Sequence, residues 1–423
     1  MKILAIETSC DDTGIAILEV KTPASAKAMA GKGKFTVLSN IVSSQSIHQN
    51  YGGVFPMMAK REHQTNLIPV LMSALKQAKL LNPKSQSPMS NEKQKNLEKI
   101  LEKENMLFES VKEFLEKYEK PKVDMIAVTH GPGLEPCLWV GVNFAKVLSY
   151  IWDIPVIPVN HIEGHILVNF LPKINENHKS PAKRRGSLGR QNTNYKTLFP
   201  AIALVVSGGH TQLILVKKIG NYEILGETRD DAAGECFDKC AKILGLGYPG
   251  GPEIARISSI ARSDLAIKKL QGLTLQLPRP MMHSKDYDFS FSGLKTAVLY
   301  KVREKYGETP LRQGFAGSDN FVSEMCVEVQ QAIIDVLLKK TMAAAKDYNV
   351  KTIILGGGVS ANQELRKQLQ EKISKEIPNT NYLIPDTALS TDNALMIAVA
   401  GYFNNHKEVD WQKIEVDANL RIS

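Results

Sequence analysis

Two histidines four residues apart offer the clearest chemistry: His161 and His165, in NHIEGH. On a helix an i,i+4 pair shares one face at the spacing of two metal ligands. Such a pair also occurs in a purely structural role. A zinc peptidase of the H-E-x-x-H kind needs its Glu directly after the first His. Here the acid is Glu163, two places after His161, and it points elsewhere on the helix, so peptidase chemistry is disfavoured. A third ligand must come from outside the helix. Asp392, at a helix start in STDNA, offers a hard oxygen, although spacing alone does not establish it.

Glycine-rich turns form a second group. SGG at 207–209 and GGG at 356–358 each follow an apolar strand, PGGP stands at 249–252, and a polar turn, TSCDDTG, at 8–14. Glycine lets backbone approach a ligand, and the N–H groups it frees bind phosphate oxygens. Ordinary tight turns look the same singly. None fits G-x-x-x-x-G-K-[ST] or G-x-G-x-x-G, so a nucleotide site of another type is implied. Cys236 and Cys240, also i,i+4, read as small core residues and not as a thiolate pair. His63, His130 and His210 are each a site residue or a polar loop residue. His210 follows the SGG turn directly and is the best of the three.

The elements that must carry these residues alternate between strand and helix. ILAIETSCDDTGIAIL and ALVVSGGHTQLILV are each an apolar strand, a tight polar turn and a second apolar strand, which suggests an internal duplication. A third strand is expected near 35–42, a helix over 59–80, a buried strand in VDMIAVTH and an apolar helix from about 137 to 151. PVIPVNH reads as a strand running into the histidine helix. KTIILGGGVSANQELRKQL reads as strand, Gly-rich turn and helix, and STDNA opens a last helix. The class is α/β. Residues 82–122, with nine Lys and eight Glu, read as an inserted, solvent-exposed helical hairpin or tether.

Composition bounds the rest. The 423 residues are 43% hydrophobic and 23% charged, ordinary for a globular protein and enough for two or three domains. Net charge is +9, which suits a polyanionic partner such as nucleic acid or an anionic surface, and +6 of it lies in 173–197, a basic segment expected to be flexible. Five scattered cysteines fit a reducing cytoplasm and no disulfide framework. The start, MKILAIETSCDD, has neither signal nor transit character, and no stretch reaches the ~18 apolar residues of a membrane span.

ETSCDDTGIA, THGPGL, NHIEGH, VSGGHTQL, AAGECFDKCAKILGLGYPGGP, FSFSGLKTAV, GGGVSAN and STDNA occur together and in order. In this the chain resembles the TsaD family, the tRNA threonylcarbamoyladenosine transferases, over 1–81, 123–172 and 198–405, with 82–122 and 173–197 read as insertions. The resemblance implies an actin/Hsp70-like ATPase (ASKHA) fold of two related lobes with a central cleft: 1–172, then 198–423 with a helical subdomain. It implies transfer of the threonylcarbamoyl group from threonylcarbamoyl-adenylate to the exocyclic amine of adenosine 37 in tRNAs reading ANN codons, with release of AMP.

By the same resemblance His161, His165 and Asp392 would hold one divalent transition metal per subunit, iron favoured and zinc the alternative. Val205, Val206, Ser207, Gly208, Gly209, Asp238, Gly251 and Asn362 would contact the adenylate. Partners implied are tRNA, a TsaB-like paralogue, a TsaE-like ATPase and an upstream adenylate synthase. Asp11 or Asp12 would take the amine proton. The family often has Glu where this chain has Asp12, a shorter arm. Other readings are a sugar or acetate kinase-like ATPase on the same fold, the metallopeptidase, and a non-catalytic scaffold like the family's shortened paralogue, which lacks the metal histidines this chain has.

Overall fold

The computed structural model describes residues 1–21, 34–84, 89–171, 195–270, 275–308 and 319–423. The basic segment expected at 173–197 lies outside the described residues through position 194. The chain divides into two compact units. One holds Met1–Ser46, Val54–Tyr195 and Asp392–Ile422; the other holds Ile47–Gly53, Lys196–Thr391 and Ser423.

The first unit begins with the expected hairpin, β1 (Lys2–Glu7) and β2 (Asp12–Lys21), then β3 (Lys34–Ser44). Helices α1 (Pro56–Gln77), α2 (Asn91–Ile100) and α3 (Asn105–Lys117) follow, then β4 (Met125–Gly131), α4 (Glu135–Trp152), β5 (Val156–Asn160) and α5 (His161–Leu167). The sheet order is β3-β2-β1-β4-β5. β1 pairs antiparallel with β2 and parallel with β4. β1 and β4 are buried along nearly their whole length, which is why they read as continuous apolar runs.

The second unit repeats this plan. β6 (Ala201–Val206), β7 (Thr211–Lys218) and β8 (Asn221–Glu227) form a meander, followed by α6 (Ala233–Ile243), α7 (Gly250–Leu270), α8 (Ser292–Tyr306) and α9 (Asn320–Asp347). Then come β9 (Thr352–Gly356), α10 (Gln363–Glu376) and β10 (Asn381–Leu383). The order β8-β7-β6-β9-β10 matches the first sheet strand for strand, with the same antiparallel pair and the same parallel pair on the central strand. Two sheets of one unusual mixed order are the product expected of a duplicated hairpin, and they give the actin-like fold. α6, α8 and α9 join the second unit's core through Phe237, Leu294, Ile333 and Leu337.

Two expectations need correction. The C-terminal segment does not stay with the second unit: α11 (Ala394–Phe403) packs on β1, β2 and β4 of the first. Its sequence, ALMIAVAGYF, is apolar all round, so it carries no stripe to say which sheet it covers. The lysine- and glutamate-rich hairpin is helical, but it is no tether. Leu97, Leu107, Val111, Phe114 and Leu115 are buried in the first unit's core. At ~1.5–3 kcal/mol for each such side chain, burial outweighs the exposed charged face. Glu113 and Lys117 do pair on that face.

Candidate metal centre and substrate-binding turns

β5 ends in Asn160, whose side chain accepts hydrogen bonds from Ile162 N at 2.9 Å and Glu163 N at 3.2 Å. This cap fixes the first turn of α5 and sets His161 at its opening position. His165 follows one turn later, and the two rings meet edge to face with centroids 4.7 Å apart. Asn393 caps α11 by accepting from Met396 N at 3.2 Å, and Asp392 directly precedes it. Gly14 permits that approach: a Cβ there would lie 2.9 Å from Ala394 N.

The result is convergence of all three expected ligands. Asp392 Oδ1 lies 3.1 Å from His165 Nε2 and 3.5 Å from His161 Nε2. One donor atom from each of the three residues falls within 4.8 Å of the others. Behind them stands Glu7, the last residue of β1. Its Oε2 lies 3.3 Å from His161 Nδ1 and accepts from Thr129 Oγ1 at 2.5 Å, while Oε1 accepts from Ser9 N at 2.6 Å. Ser9 Oγ also reaches His161 Nδ1 at 3.1 Å. Motif reading missed Glu7, Ser9 and Thr129. The signal was an acid ending an otherwise apolar buried strand.

Burial works against charge on His161, but Asp392 and Glu7 outweigh it and lift its pKa to about 9. Burial would raise Glu7 in turn, and the cationic His161 brings it below its ordinary value instead. Burial, aided by the charge on His161, holds His165 low against Asp392. The cluster thus has two carboxylates and a demand for positive charge. A divalent cation meets that demand with both imidazoles neutral. Two imidazole nitrogens and one carboxylate oxygen suit a transition metal. A buried carboxylate on the far nitrogen of a ligating histidine fixes the tautomer and raises its basicity. Three protein donors leave positions open for substrate or water. The residues therefore fit a metal.

Glu163 is turned away: it is buried and accepts from Asn404 Nδ2 at 2.7 Å. Asp12, opening β2, is pushed up to about 7 by burial, with Asp392, Asp11 and Glu7 adding to it and a Ser44 hydrogen bond opposing. The turn between Cys10 and Thr13 is held from α1 by the fully buried His63, which reaches Thr13 Oγ1 at 2.8 Å and Cys10 O at 2.9 Å. His63 is thus a support of the turn. His130 lies near the C-terminal segment, 3.2 Å from Glu415 O.

In the second unit the SGG turn links β6 to β7. Ser207 N donates to His210 O at 2.7 Å, and His210 N donates to Ser207 Oγ at 3.1 Å, closing the hairpin. Val205 and Val206 are buried strand residues. Gly208 and Gly209 are exposed, and a Cβ on either would meet nothing within 4 Å, so their backbone is open to approach. Gly357, at φ +84°, lies so close to Val206 O that a Cβ would sit 2.4 Å away, which brings the GGG turn against the end of β6. Asp238 Oδ1 accepts from Gly250 N at 2.7 Å at the start of α7, where Gly251 follows. Asn362 caps α10 by accepting from Glu364 N and Leu365 N, each at 3.0 Å, and donates to Gln330 Oε1 at 2.8 Å. Cys236 and Cys240 are fully buried in α6, as small core residues.

A family model described as TsaD: tRNA N6-adenosine threonylcarbamoyltransferase matches residues 36–84, 104–182 and 187–399. It runs through most of the two segments read as insertions and leaves out only 85–103 and 183–186 between its matched stretches. Curated relatives of the same name include one from Thermosipho africanus (strain TCF52B), 40% identical over 100% of both chains. One from Porphyromonas gingivalis (strain ATCC BAA-308 / W83) is 37% identical over 95% of this chain and 92% of its own. One from Dehalococcoides mccartyi (strain CBDB1) is 39% identical over 95% and 93%. YeaZ from Pseudomonas aeruginosa covers 53% of this chain and 68% of its own at 11% identity with a TM-score of 0.25, too loose a match to carry an argument. With matched segments through both units and a relative matched end to end, the chain belongs to the TsaD family of tRNA N6-adenosine threonylcarbamoyltransferases.

Proposed function

We propose that this protein transfers the threonylcarbamoyl group from threonylcarbamoyl-adenylate to the exocyclic amine of adenosine 37 in tRNAs that read ANN codons, releasing AMP. The observation that carries the reading is the His161–His165–Asp392 cluster, backed by Glu7, in a chain 40% identical from end to end to a protein of that name. His161 Nε2, His165 Nε2 and Asp392 Oδ1 would hold the metal, iron in preference to zinc. When bound, it supplies Lewis-acid polarisation of a substrate oxygen.

The remaining work falls to the chain's own groups. An aromatic amine is a weak nucleophile, so the proton it sheds needs an acceptor near neutral pH. Asp12 has the right range at about 7, and Asp11 is the second candidate. The open backbone at Gly208 and Gly209, with the neighbouring Ser207, would take the leaving phosphate. Val205, Val206, Asp238, Gly251 and Asn362 would shape the adenylate site, and His210 would flank it. A TsaB-like paralogue, a TsaE-like ATPase and an upstream synthase complete the proposed machinery, in the cytoplasm. No helix among the described residues is long and apolar enough to cross a membrane. The engagement of Glu163 by Asn404 counts against the peptidase alternative.

The test is mass analysis of nucleosides after incubating the protein with threonine, bicarbonate, ATP, tRNA and the companion enzymes. Threonylcarbamoyladenosine appearing only when this protein is present supports the reading. Its absence with every partner supplied sinks it.

A further inference from the structure

Arg366, on α10, is 9% exposed. Its Nε donates to Ser360 O, and its Nη2 donates to Ser390 Oγ at 2.8 Å. Among the described residues no carboxylate lies at ion-pair distance from it. The other described arginines of the second unit all have one: Arg229 pairs with Asp286 and Asp288, Arg256 with Glu253, Arg262 with Glu364, Arg279 with Glu328 and Asp335, and Arg303 with Glu308. The unit thus leaves its most buried arginine with no carboxylate in direct contact, Asp386 acting on it only from beyond ion-pair distance. A guanidinium does not escape by losing its proton. An unpaired buried charge is costly, and the usual remedy is an anion.

A cavity of about 730 Å³ opens beside it, lined by Arg366, Lys367 and Lys375, by Gln363 and Gln370, and by a single acid, Glu371. Two more polar groups nearby, Tyr382 OH and Ser360 Oγ, are buried with no hydrogen-bond partner. Tyr382 is close enough to act on the Arg366 charge. From Arg366 to Lys375 is nine residues of helix, about 13 Å at the α-helical rise, longer than one small anion. The amide side chains of Gln363 and Gln370 beside the cations suit phosphate and sugar oxygens.

We propose that this face of α10 is a phosphate-binding site, formed by Arg366, Lys367 and Lys375, that takes backbone phosphates of the RNA substrate. It rests on the reading that tRNA is the substrate. Lys367 and Lys375 are exposed, so reversing them does not disturb the core.

The experiment uses the full chain, its K367E/K375E variant and an unmodified tRNA transcript, with Kd measured between about 50 and 200 mM salt. The expected result at the low-salt end is a Kd raised roughly tenfold, with the slope of log Kd against log salt shallower by about 1.5. Metal content and melting temperature should match the parent. An unchanged Kd and slope overturn the proposal. A second arm adds inorganic phosphate alone and follows thermal stabilisation. Stabilisation lost in the variant while tRNA binding is unchanged would assign the groove to a free anion and overturn the RNA assignment. A parent that binds tRNA with the steeper slope but forms no modified nucleoside would sink the functional reading and leave this site standing.

Discussion

The Glu7 carboxylate lies 3.3 Å from Nδ1 of His161, with Glu7 wholly shielded from solvent and the His161 side chain 6% exposed. One residue ends the first strand of the chain and the other opens the helix after the fifth. Their contact commits Nε2 of His161 to the side where His165 and Asp392 stand.

Removing that commitment should weaken metal binding without removing a donor. Glu7→Gln keeps the shape, loses the charge and is expected to lower metal affinity by roughly 10- to 100-fold. Competition against a chelator measures it, and parental affinity would show that Glu7 is only a core contact. The His161→Ala, His165→Ala double variant should lose the metal altogether.

Asp12 gives a pH signature in protein stripped of metal. Its carboxyl is raised to about 7, so the folded state pays for ionising it. The penalty is absent below the ordinary carboxylate range, grows as pH rises toward about 7, and is full above that value. Asp12→Asn should therefore stabilise the stripped protein at pH 8, by roughly 1–3 kcal/mol after discounting partial solvent access, and have little effect near pH 4. Adding metal should shrink the difference, because a cation near Asp392 favours the ionised form. Equal stabilities at pH 8 would contradict the burial argument.

His63 uses both ring nitrogens to hold the turn that carries Asp11 and Asp12. His63→Ala strands Thr13 Oγ1 and leaves a cavity under α1, at an expected cost of about 2–4 kcal/mol. Chemical denaturation reads this as a lower midpoint at an unchanged slope. A midpoint equal to the parent's would mean the turn holds itself.

Phe114 distinguishes a packed hairpin from a tether. It is 3% exposed, and Phe114→Ala should cost about 3–5 kcal/mol. Glu116→Ala on the same helix, at a half-exposed surface position, should stay within roughly 0.5 kcal/mol. Similar small effects from both would restore the tether.

The duplicated hairpins were legible because alternation and tight polar turns are local properties, and the two sheets follow from them. The histidine pair was legible because one helical turn sets its spacing. Asp392 was a candidate from its place at a helix start and was singled out only by resemblance, since the segment bearing it returns to the first unit through a helix with no polar face. Glu7 was hidden for a related reason: a single acid at the end of a buried strand announces nothing until its neighbours are known. The hairpin's core residues were masked by seventeen charges in forty-one positions, although Leu107, Val111, Phe114 and Leu115 keep helical spacing.

The first unit is interrupted after Tyr195 and resumes at Asp392. In order of synthesis, both histidines leave the ribosome early, and nearly two hundred residues of another folding unit follow before the third donor is made. A chain cut anywhere between His165 and Asp392 keeps the histidine pair but lacks the aspartate and the helix that covers β1, β2 and β4. Long-range closure of this kind comes late in folding, after its entropy has been met. The complete donor set therefore arises only once the chain has been made through Asp392, and no amino-terminal fragment that stops short of it has all three.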